Sequence, residues 1–148
     1  MKKKGIIFLV EDNPDDEKLT ICAIKKNNIL NDVIIAHDGV EALNYIFGNQ
    51  QYKKRDILKN IQLILLDLNL PKINGIEVLK KIKKNTKTKL LPVVILTSSD
   101  ERNDIDECYN LGANSYIQKI VDFDKFSKAI KLIGSYWLGL NKIPKITK

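Results

Sequence analysis

A chain of 148 residues, 44% of them hydrophobic, has enough apolar mass to bury one core and is expected to form a single domain over residues 1–148, with no room for a second. Its formal charge of +7, from 25 basic and 18 acidic residues, would suit an acidic partner, but the lysines are scattered over predicted helix faces and loops without dense aromatic interleaving, so nucleic-acid binding is not expected. No run approaches the roughly 20 apolar residues needed to cross a bilayer, which excludes a helical membrane span.

The opening MKKKGIIFLVED sets basic residues before an apolar stretch, as a signal peptide does, yet two acids stop the stretch after residues 6–10. It reads as a first strand over residues 4–10. Glu11, Asp12 and Asn13 end that strand; Asn13 suits a helix cap, Pro14 the first helical position, and Asp15, Asp16 and Glu17 the positive end of the helix. Leu19, Cys22 and Ala23 keep helical spacing until Asn27 and Asn28 break it, and residues 33–36 make a short second strand. Asp38 followed by Glu41 resembles a capping box, opening a helix with Val40, Leu43, Ile46 and Phe47 on its apolar face and Gly48 at its end. Residues 49–60, NQQYKKRDILKN, have no clear period and predict a long exposed loop.

The chain is organised around the next stretch, NIQLILLDLNLPKING at residues 60–75. A short, nearly continuous apolar run stops at Asp67, turn residues Leu70, Pro71, Asn74 and Gly75 follow, and Ile76, Leu79 and Ile82 begin a helical pattern. Asp67 therefore sits at the carboxyl end of a buried strand in a strand-loop-helix unit. After the polar NTKTK, the run VVIL makes a fourth strand ending in Thr97, Ser98, Ser99 and Asp100, with Asp100 the expected cap of a helix carrying Ile105, Cys108, Tyr109 and Leu111 and closed by Gly112. Residues 115–118 are the fifth strand and Lys119 closes it. Asp122 caps a last helix with Phe126, Ala129, Ile130, Ile133, Trp137 and Leu140 on one stripe. Cys22 and Cys108 fall on apolar stripes of predicted helices, so a reduced, cytoplasmic protein is expected.

Strands alternating with helices imply an α/β fold, a doubly wound five-stranded parallel sheet in the order 2-1-3-4-5 with five helices. In that order the winding reverses between strands one and three, opening a crevice above Glu11, Asp12 and Asp67. Carboxylates crowded there repel unless a cation neutralises them, and a hard divalent ion such as magnesium takes oxygen ligands of this kind. Asp12 and Asp67 would supply carboxylates, Asn69 its backbone carbonyl, and Glu11 would hold a metal-bound water. Strands four and five end in Thr97, a hydroxyl donor, and Lys119, a movable positive charge. Together these groups make a phosphoryl site. His37, the sole histidine, has no partners at ligand spacing and reads as a surface or capping residue.

The motifs VEDNPDD (residues 10–16), LLDLNLPKING (65–75), VVILTSSDE (93–101) and GANSYIQK (112–119), in this order and on these elements, resemble the receiver domains of two-component response regulators, which have the flavodoxin-like fold. DLNLP, the long loop before strand three and YWLGLNKIP (136–144) look most like stand-alone receivers that work with phytochrome-type histidine kinases. The resemblance implies that Asp67 accepts a phosphoryl group from a kinase phosphohistidine or a small donor such as acetyl phosphate, with Glu11 and Asp12 as metal-site acids, Thr97 as switch hydroxyl and Tyr116 as aromatic switch. Such a protein signals or relays by contact. It is not an enzyme beyond self-catalysed phosphotransfer and autodephosphorylation.

The alternative is a phosphate-independent interaction module on the same fold; a phosphoaspartyl enzyme of the haloacid dehalogenase type would need a second aspartate where Asn69 stands. Receivers usually follow the lysine with a cis proline, but here Ile120 follows Lys119, and a cis bond before a non-proline residue costs about 2.5 to 4 kcal/mol, so this peptide is expected trans. Leu132, Tyr136 and Leu138 are surplus to the one apolar stripe the last helix needs, and they predict a homodimer through that helix.

Overall fold

The computed structural model describes residues 5–48 and 60–144; apart from Asn60, the loop expected over residues 49–60 lies outside the described residues. The elements are β1 (Ile6–Val10), α1 (Pro14–Lys26), β2 (Val33–Ala36), α2 (Gly39–Phe47), β3 (Ile61–Leu66), α3 (Gly75–Lys84), β4 (Val93–Thr97), α4 (Arg102–Leu111), β5 (Ser115–Gln118) and α5 (Phe123–Ile133), followed by a π-helical stretch (Gly134–Leu140). Every strand pair is parallel and the sheet order is β2-β1-β3-β4-β5. This is the doubly wound arrangement read from the sequence.

The core divides along the sheet because successive strand side chains point to opposite faces. Phe8, Val10, Ile64, Leu66, Val93 and Ile95 face one way, onto Ala42 and Ile46 of α2, Val78, Leu79 and Ile82 of α3, and Cys108 of α4. Ile7, Leu9, Leu63, Leu65, Val94 and Leu96 face the other way, onto Ala23 and Ile24 of α1 and Phe126, Ile130 and Ile133 of α5. Two buried faces explain why the central strands read as nearly continuous apolar runs. Among the described residues, no helix is long and apolar enough to cross a membrane.

Several helix ends follow the expected chemistry. Asn13 Oδ1 accepts from the N–H groups of Asp15 and Asp16, with Pro14 opening α1. Asp38 caps α2 through the Glu41 N–H, and Asp122 caps α5 through the Lys125 N–H. Gly48 and Gly112 close α2 and α4 in the left-handed conformation, at φ 65° and 106°. The Lys119–Ile120 peptide is trans, since none of the described peptide bonds is cis.

Other expectations are corrected. Glu101, not Asp100, is the cap residue of α4 and makes no side-chain capping bond; Ser99 Oγ instead accepts from the Glu101 N–H at 3.3 Å and donates to Asp104 Oδ2 at 2.6 Å. On α1 the buried face is Thr20, Ala23 and Ile24, which turns Leu19 and Cys22 to solvent. Tyr109 of α4 is likewise half exposed.

The largest departure is at the C-terminal helix. Beyond Ile133 the chain winds more widely, with the Asn141 N–H bonded to the carbonyl of Tyr136, five residues back, at 2.7 Å. The change of phase turns Leu138 inward against the α1–α5 side of the core and leaves Leu140 75% exposed, the reverse of what uniform α-helical spacing predicts. Gln62 of β3 donates from Nε2 to the Leu138 carbonyl at 3.3 Å, tying the wide turn to the sheet.

Gly75 opens α3 under the end of β3, where a Cβ would lie 2.1 Å from the Asp67 carbonyl oxygen and 2.6 Å from the Leu68 Cα. Those are backbone atoms that cannot step aside. Gly75→Ala is therefore expected to destabilise the protein by about 1 to 3 kcal/mol, read as a lowered urea midpoint; an unchanged midpoint would show that helix and strand end are not locked together here.

Candidate functional site

The parallel order brings three carboxyl-terminal strand ends side by side. Glu11 follows β1, with its N–H bonded to the Ala36 carbonyl of β2 at 3.0 Å; Asp67 follows β3, with its N–H bonded to the Val10 carbonyl at 3.1 Å. The backbone ladders thus hold both acids in register, and both are buried, at 2% and 5% exposure. Asp12 is exposed beside them. One carboxylate oxygen from each of Glu11, Asp12 and Asp67 lies within 4.8 Å of the others.

Lys119 reaches into this cluster from the end of β5, with its N–H bonded to the Thr97 carbonyl at 2.7 Å. Its side chain is only 12% exposed, and Nζ donates to Glu11 Oε1 at 2.5 Å, Asp16 Oδ2 at 2.9 Å and Asp67 Oδ2 at 3.0 Å. A trans bond to Ile120 does not keep the lysine from Asp67. Burial pulls the ammonium down, but its hydrogen bonds to Glu11 and Asp16 and the charge of Asp67 outweigh this and hold it above the ordinary lysine value. Burial pushes the Glu11 carboxyl up to about 7 against the hydrogen bond from Lys119, with the Asp67 charge adding to the rise.

Thr97 ends β4 beside Asp67 and is fully buried, and its Oγ1 has no hydrogen-bond partner among the described residues. A buried hydroxyl left alone carries a penalty of about 1 to 3 kcal/mol, and such groups usually have a reason. The backbone of Asn69 runs beside the same cluster, its N–H bonded to Asp67 Oδ1 at 3.3 Å. Tyr116 is half-buried on β5, in register with Ile95 and two residues before the Thr97–Gln118 pair, and its hydroxyl donates to the Ser99 carbonyl at 2.9 Å. Desolvation raises its pKa, against the hydrogen bond to Ser99. His37 lies outside the cluster, bridging Glu17 Oε1 at 2.8 Å, as a surface residue does.

The geometry gathers Glu11, Asp12, Asp67, Lys119 and, one strand over, Thr97. It also adds a residue that sequence reasoning assigned only to the helix dipole: Asp16. It stands in the first turn of α1 beside Asp15, and no local signal in the sequence separates the two. The donor set is all hard oxygen, which fits a divalent cation and suits neither copper nor zinc thiolate chemistry. Arranged around Asp67 are acids that could hold a cation, an ammonium and a hydroxyl without a partner among the described residues, the groups that would receive the oxygens of a phosphoryl transferred to a carboxylate.

The chain is 37% identical over 139 residues to the response regulator Rcp1 of Synechocystis, covering 94% of this chain and 92% of that protein. Its fold superposes on a phosphorylated cyanobacterial phytochrome response regulator, RcpA, with TM-score 0.89 at 37% identity, covering 95% and 99% of the two chains. The Mn(2+)-bound form of Rcp1 gives 0.86 at 36% identity, with 95% and 99% covered. The family model for the response regulator receiver domain matches residues 7–131, and the chain belongs to that family, with phytochrome response regulators among its relatives.

Proposed function

We propose that this receiver takes a phosphoryl group on Asp67 from the phosphohistidine of a sensor histidine kinase of phytochrome type, with magnesium, and signals through protein contacts in the cytoplasm. The observation that carries the reading is Thr97 Oγ1, buried without a partner among the described residues, at the strand end next to an Asp67 whose carboxylate Lys119 already holds at 3.0 Å. The kinase class is supported by relatives named as phytochrome response regulators. Free Cys22 and Cys108 suit a reducing compartment.

In the transfer, a carboxylate oxygen of Asp67 forms a bond to phosphorus as the bond from phosphorus to the histidine nitrogen breaks; the electron pair stays on that nitrogen, and because the other ring nitrogen carries a proton the ring leaves as neutral imidazole, giving an acyl phosphate on Asp67. Glu11, Asp12, Asp67 and the Asn69 carbonyl would hold the cation, whose positive charge screens nucleophile and phosphoryl oxygens. Lys119 receives one phosphoryl oxygen and the Thr97 hydroxyl another. Thr97, drawn toward the phosphate, leaves room for Tyr116 to turn inward and alters the α4–β5–α5 surface that a partner reads. No external substrate is turned over. Self-catalysed phosphotransfer and autodephosphorylation are the whole of its chemistry.

Purified protein with magnesium and acetyl phosphate should give a slower band on phosphate-affinity electrophoresis, and Asp67→Asn should give none. An unshifted wild type, or an equal band in the variant, would replace this reading with phosphate-independent binding. Thr97→Val should hold or gain about 1 kcal/mol in urea unfolding, because it removes an unsatisfied buried hydroxyl, while labelling slows. A destabilised Thr97→Val would mean that the hydroxyl has a structural partner.

Pairing through the C-terminal helix is part of the same proposal. Leu132, Tyr136 and Leu140 are 72%, 49% and 75% exposed on α5 and the wide turn, an apolar surface that a second copy would cover in two-fold symmetry. Light scattering at micromolar concentration should report a dimer for wild type and a monomer for Leu132→Glu with Tyr136→Glu; a monomeric wild type or a dimeric variant rejects this interface.

A further inference from the structure

An ammonium has three donors, and in Lys119 all three are taken by carboxylates on different elements: Glu11 Oε1 at 2.5 Å, Asp16 Oδ2 at 2.9 Å and Asp67 Oδ2 at 3.0 Å. The three acceptors are not equivalent. Glu11 and Asp67 belong to the cluster whose oxygens suit a divalent cation, and their side chains are 2% and 6% exposed; Asp16 stands outside that cluster and is 37% exposed. A divalent cation and an ammonium drawn to the same two carboxylates repel one another, and a buried ammonium left with no anion is worse still.

We infer that Asp16 is a positioning residue for Lys119: it anchors the ammonium on the α1 side of the cleft, so that Glu11 and Asp67 can give it up to a divalent cation without leaving it unpaired. The inference rests on the reading that these acids hold the cation. The anchor is well placed for this. The Asp16 N–H is fixed by the capping Asn13 Oδ1 at 3.1 Å, and its carbonyl accepts from Thr20 Oγ1 at 2.8 Å, so the carboxylate is presented from a rigid first helical turn. Asp15 supplies a built-in comparison. It lies in the same turn, its N–H is bonded to the same Asn13 oxygen at 2.9 Å, and it is exposed and absent from the acceptors of Lys119. An acid needed only for the helix dipole would make the two interchangeable.

The test is calorimetric titration of magnesium into wild type, Asp15→Asn, Asp16→Asn, Lys119→Ala and the double variant Asp16→Asn with Lys119→Ala, without any phosphoryl donor. Asp16→Asn is expected to weaken magnesium binding about tenfold and Asp15→Asn by less than about twofold, while in the Lys119→Ala background Asp16→Asn should cost less than about twofold. The same loss in both backgrounds would mean that Asp16 acts on the cation through its charge alone, and no loss in either would mean that it does not matter; each overturns the inference while leaving the metal site standing. A wild type that takes up no magnesium overturns the metal reading itself, and this inference with it.

Discussion

One buried ammonium among carboxylates sets the terms for everything else in this molecule. Lys119 comes from the end of β5, Glu11 from β1, Asp67 from β3 and Asp16 from α1, so the contact exists only when the sheet, its order and one helix are all in place. Glu11 and Asp67 could not both stay ionised this close and this deep without a counter-charge. The strand ends thus form a site that draws cations to it.

The rest of the fold reads as the scaffold that delivers those strand ends. β1 and β3 are adjacent because the winding reverses between them, and both are apolar on both faces, leaving the backbone ladder to fix the height at which each chain emerges. Register is then inherited by the acids that follow. Gly75 packs α3 directly beneath the Asp67 carbonyl, so the helix start and the strand end are positioned by one another rather than by a flexible linker.

Much of this was written plainly in the chain. Strand runs such as IQLILL end in a carboxylate, caps such as Asn13, Asp38 and Asp122 name their helix starts, and Gly48 and Gly112 name two helix ends, because each signal is local and carries its own backbone chemistry. What was hidden depended on contacts distant in sequence or on a departure from uniform winding. Cys22 and Leu19 share helical spacing with Ala23, but which side of α1 is buried is decided by α5 across the sheet face. Leu138 and Leu140 exchange places because the helix widens after Ile133, a change that α-helical periodicity is blind to. Asp16 bonds a residue 103 positions away, and nothing in its own turn distinguishes it from Asp15.

The hydrogen bond from Tyr116 to the Ser99 carbonyl couples a side chain to a loop. Ser99 is two residues beyond Thr97, so the height of the loop and the rotamer of the ring are a single variable: the ring cannot leave without freeing the carbonyl, and the carbonyl cannot rise without freeing the ring. A neutral hydrogen bond of this sort contributes about 1 kcal/mol net, a bias of roughly fivefold between two populations. The latch is therefore weak by design of its chemistry. In the proposed switch it would set a resting preference that a single new charge-assisted bond, worth about 1.5 to 3 kcal/mol, is enough to invert.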